Sequence, residues 1–64
     1  MRLDKEKLQI AMARAMLTRD EVAKKAKIPT GTFRNALSRG VCKPVTAGKI
    51  AKALECDVTE ILED

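Results

Sequence analysis

Pro29 is the residue that most limits what this chain can build. A proline disfavours helical geometry at the residue before it, so the helical run holding Val22, Ala23 and Ala26 has to stop near Lys27. A second helical run, "TGTFRNALSR", begins directly after the proline. The start of the first run is marked as clearly. Thr18-Arg19-Asp20-Glu21 is a capping box: the threonine hydroxyl accepts the Glu21 N–H and the glutamate reaches back to the threonine N–H. Two short helices joined by a tight turn are predicted, over about 18–26 and 30–39.

The remaining punctuation predicts helices only. Asp4 is a suitable cap for a helix running to about Met16. Leu8, Ala11, Met12 and Ala15 recur at helical spacing and form an apolar stripe, which Ile10 and Leu17 are expected to widen. Gly40 suits the left-handed residue after a helix, and "VCKP" reads as a loop. Pro44 and Thr46 introduce a fourth helix over roughly Val45 to Leu54, with Ile50, Ala51 and Leu54 inward. Asp57-Val58-Thr59-Glu60 repeats the capping pattern before a last turn with Ile61 and Leu62. The expectation is an all-α fold of five short helices with no sheet, forming one domain over residues 1–64.

A chain of 64 residues buries only about 60% of its unfolded surface, so its core is small. A deep substrate cavity would consume that core, whereas an extended binding surface would not. There is no histidine for acid–base work, and Cys42 and Cys56 are the only cysteines. A four-ligand zinc site would need carboxylates for half its ligands. No metal, cofactor or catalytic residue is expected, and the thiols are expected to be reduced. The opening "MRLDKEKLQ" is charged where a signal peptide needs an apolar run, and no segment approaches a membrane span. A cytoplasmic protein with no membrane partner is expected.

Charge points to the partner. Between Thr18 and Lys49 there are eight Lys and Arg against two carboxylates, while the last ten residues carry five acids and no cation. A basic middle with an acidic end fits a polyanion met by one face, and equally a helical protein whose charges simply face water. Residues 30–39 supply that face. At about 100° per residue, Phe33, Ala36 and Leu37 share one apolar sector. Thr30, Gly31, Arg34, Asn35 and Ser38 share the opposite one, flanked by Thr32 and Arg39, with hydrogen-bonding groups and no anion. Arginine binds guanine through two hydrogen bonds, asparagine does the same with adenine, and threonine offers a hydroxyl or touches a thymine methyl. Gly31 would let the backbone approach closely.

The run from Leu17 to Leu62, through "LTRDEVAKKAKIPTGTFRNALSRG" and then "GKIAKALECDVTEIL", resembles the helix-turn-helix domain of the Cro and lambda-repressor type, the XRE family. The resemblance implies a compact five-helix lambda-repressor-like fold and a transcriptional regulator whose partner is a double-stranded DNA operator. It implies that Thr30, Gly31, Thr32, Arg34 and Asn35 face bases in the major groove. Arg19, Arg39 and Lys43 would hold phosphates, together with the hydroxyls of Thr18 and Ser38. There are three departures from the family pattern: Lys27 and Met16 stand where glycine is common, and Leu37-Ser38-Arg39-Gly40 replaces a Glu-x-Gly ending. A homodimer on a two-fold operator would use Val58, Ile61 and Leu62, unless these are core. The rival is a protein-interaction module on the same fold, of the antitoxin or anti-repressor type.

Overall fold

Asp4 opens the first helix by accepting the Lys7 N–H at 3.0 Å. A computed structural model describes all of residues 1–64. It holds α1 (Lys5–Ala15), α2 (Arg19–Ala26), α3 (Thr30–Arg39), α4 (Pro44–Ala53) and a 3-10 turn, Val58–Glu60. The capping box of α2 is complete: Thr18 Oγ1 accepts the Glu21 N–H at 3.2 Å, and Glu21 Oε1 accepts the Thr18 N–H at 2.8 Å. Pro44 stands at the first position of α4, where its missing N–H costs nothing.

Left-handed residues close three of the helices. Met16 (φ 55°), Lys27 (φ 60°) and Gly40 (φ 72°) end α1, α2 and α3. After α2, the Ile28 N–H donates to the Ala23 carbonyl at 3.0 Å, the bond that turns the chain sharply enough for α3 to start at Thr30. Lys27 therefore keeps the turn geometry that glycine would adopt without strain.

The fifth helix is short, a single 3-10 turn. Asp57 and Glu60 form their reciprocal cap, but the residues that would extend the helix are used elsewhere. The Ile61 carbonyl accepts the Asp4 N–H at 2.9 Å, and the Glu63 N–H donates to the Arg2 carbonyl at 3.0 Å. This end pairs with the start of the chain instead of coiling. Isolated antiparallel bridges join Leu3 to Leu62 and Arg2 to Val41, and no sheet forms.

Leu8, Val22, Phe33, Ile50 and Ile61 are fully buried at the centre. One expectation about apolar residues fails. Ile10 is 49% exposed, because it lies about 200° round the helix from Leu8 and so faces away from the stripe. Ile61 is 0% exposed, with Val58 and Leu62 half-buried against the same core, the role that stood as the alternative to pairing. Leu3, unremarked in the sequence, is 3% exposed and belongs to the core. No helix is long and apolar enough to cross a membrane.

Candidate nucleic-acid interface

Burial of Phe33 and Ala36, with Leu37 half-buried, fixes the rotation of α3 about its axis. The positions left facing solvent are Thr30, Gly31, Thr32, Arg34, Asn35, Ser38 and Arg39. None carries a carboxylate. A Cβ built on Gly31 would meet nothing within 4 Å, so no contact inside the protein requires glycine there.

Each flank of α3 opens into a shallow cleft. On one side a cleft of about 250 Å³ brings Arg34 and Ser38 beside Arg19 from α2 and Lys5 and Gln9 from α1. Lys5 Nζ donates to the Ser38 carbonyl at 3.4 Å. On the other side a cleft of about 280 Å³ gathers Thr32, Asn35 and Arg39 with Lys43 and Thr46 at the start of α4. Cations from three helices and the α3–α4 loop thus border one polar strip. Arg19, Arg39 and Lys43 lie on these borders, and Arg34 leans toward the first of them.

Thr18 is exposed at the start of α2. Its oxygen accepts the Glu21 N–H at 3.2 Å. Hydrogen bonds from the Thr18 backbone and side chain hold the Glu21 carboxyl below its ordinary value of 4.5. That end of α2 therefore carries a firmly ionised carboxylate beside its cap.

Sequence reasoning missed three contributors. Lys5 and Gln9 reach the site from α1, and nothing local in the sequence joins them to Ser38. Asp20 is the third: its Oδ1 lies 3.6 Å from Arg34 Nη2, so the carboxylate-free face of α3 acquires an acid from α2. The signal lay in two helices whose packing angle decides the pair. Cys42 and Cys56 are unpaired, and burial pushes both thiols up, so they stay protonated at neutral pH. No three His, Cys, Asp or Glu side chains converge as metal ligands.

No curated protein matches the chain. Among solved structures it is similar to native PhpD with cadmium atoms and to PhpD with cadmium complexed with hydroethylphosphonate, each at 28% identity and a TM-score of 0.82. A mutant of hydroxyethylphosphonate dioxygenase is similar at 28% identity and a TM-score of 0.83. Each match covers 100% of this chain, which spans only 14% of the length of those proteins. The model of the Cro/C1-type helix-turn-helix DNA-binding domain matches residues 7–64. The chain belongs to the Cro/C1-type helix-turn-helix DNA-binding domain family.

Proposed function

We propose that this chain is a sequence-specific transcriptional regulator in the cytoplasm, acting as one helix-turn-helix unit over its 64 residues. α3 enters the major groove of double-stranded DNA. The observation that carries the reading is the exposed strip of α3: polar, without a carboxylate of its own, and bordered by cations on both long edges. Thr30, Gly31, Thr32, Arg34 and Asn35 meet base edges, and Arg19, Arg39 and Lys43 meet phosphates on either strand, with Thr18 and Ser38 donating hydroxyl bonds to the same backbones. Phosphate contacts set the register, so that the short reading helix reaches a fixed set of base pairs.

The likeness to PhpD and to the hydroxyethylphosphonate dioxygenase mutant extends to a segment of those proteins, and this reading takes no catalysis from them. One copy presents few base-reading groups, so tight binding calls for two copies on half-sites related by a two-fold axis. Selection from a random pool of DNA duplexes tests the reading. A palindromic consensus with a fixed half-site spacing is expected. A pool that fails to enrich would overturn DNA reading and leave the fold as a protein-docking module.

A further inference from the structure

Of the cations assigned to the DNA face, only Arg34 has a carboxylate partner within the chain. The other ion pairs join Lys7 to Asp64, Arg14 to Glu60 and Lys25 to Glu55. Asp20 occupies the second position of α2, and its Oδ1 stands 3.6 Å from Arg34 Nη2 on α3. The two side chains are 68% and 66% exposed, so water weakens the pair in the free protein.

An acid at this place calls for an explanation, because a carboxylate beside a phosphate-binding surface repels every DNA sequence alike. The explanation lies in what the guanidinium has left to give. Arginine carries five N–H donors in a rigid fork. The Asp20 carboxylate faces one end of that fork at ion-pair distance, and a guanine edge needs two donors, so both partners fit together. A long side chain biased toward one carboxylate has fewer orientations to lose when it meets a base. Once DNA displaces the surrounding water, the same pair is less screened and stronger.

We infer that Asp20 is a positioning residue for base recognition, holding the Arg34 guanidinium for a two-bond contact with guanine and trading general DNA affinity for sequence discrimination. This rests on the base-reading role proposed for α3.

The test uses the full chain with the Asp20→Asn, Arg34→Ala and double variants. Each is titrated against the duplex selected by the unaltered protein and against duplexes with single base-pair changes. Arg34→Ala relaxes the preference for guanine at one base pair. Asp20→Asn, which keeps the shape of the side chain, tightens binding to mismatched duplexes. It also narrows discrimination at that same base pair by about three- to tenfold. In the double variant, Asp20→Asn has no further effect on discrimination. If Arg34→Ala relaxes the preference while Asp20→Asn strengthens binding to all duplexes by one common factor, Asp20 is only a repelling charge and the inference is overturned. If Arg34→Ala leaves every base preference intact, Arg34 is a phosphate contact, and its reading role and the inference fall together. Thermal melts of all three variants show whether a change in binding is a change in folding.

Discussion

Lys27 is held at φ 60° between α2 and α3, a conformation that side chains other than glycine adopt at a cost of about 1–2 kcal/mol. Its side chain adds to the problem, since it borders a cleft shared with Lys25, Lys49 and Lys52. Lys27→Gly removes the left-handed strain and one of these like charges, and it makes the unfolded chain freer by about 0.5–1 kcal/mol. The net expectation is a gain of about 0.5–1 kcal/mol, seen as a melting temperature a few degrees higher. A lower melting temperature would show that the lysine makes a contact outweighing its strain. Glu21 gives a prediction in pH. Its folded carboxyl lies below the ordinary 4.5, so its stabilisation is complete above that value and is lost as pH falls through the folded one. Glu21→Gln should lower the urea midpoint at neutral pH and meet the unaltered protein in acid. Parallel curves across the acid range would exclude the capping carboxylate as the cause.

The helices were legible because each announces itself locally. A capping box spans four residues, and Pro29 acts on its immediate neighbour, so the start of α2 and the turn into α3 follow from adjacent side chains. The inward and outward faces of α3 were legible for the same reason, from the spacing of Phe33, Ala36 and Leu37. The ends of the chain were not. Leu3 sits in no periodic pattern, and its backbone partners are Gly40 and Leu62, far along the sequence. The same pairing ends the last helix after one 3-10 turn. The site was half legible: its strip lies on one helix, but Lys5, Gln9 and Asp20 join it through packing between helices. Leu3 thus fastens the loop after α3 to the tail, and Leu3→Ala should cost about 2–5 kcal/mol, the usual penalty for emptying a buried leucine site. In a domain this small that is a large share of the total stability. Chemical denaturation checks it, and a loss below about 1 kcal/mol would mean the start of the chain merely rests on the core.

At the scale of the whole molecule the question is how many copies read one operator. The Cα extents are 26 × 22 × 17 Å, smaller than the roughly 34 Å between half-sites one helical turn apart. Two copies therefore fit side by side on one face of DNA with little contact between them. With Ile61 spent on the core, the expectation is that DNA brings the two copies together. Salt dependence counts the copies, because each neutralised phosphate contributes about −0.9 to the slope of log K against log salt. Arg19, Arg39 and Lys43 give a slope of about −2.7 for one copy and about −5.4 for two. Between 50 and 200 mM salt this separates a loss of about 40-fold from one of about 2,000-fold. Lys43→Ala should reduce the slope by about one for each bound copy and leave base preference intact. The slope of about −5.4 is expected, with two chains per duplex by sedimentation. One chain per duplex, together with the shallower slope, would remove the two-fold operator. A slope near zero would sink phosphate contact and, with it, the major-groove reading of α3.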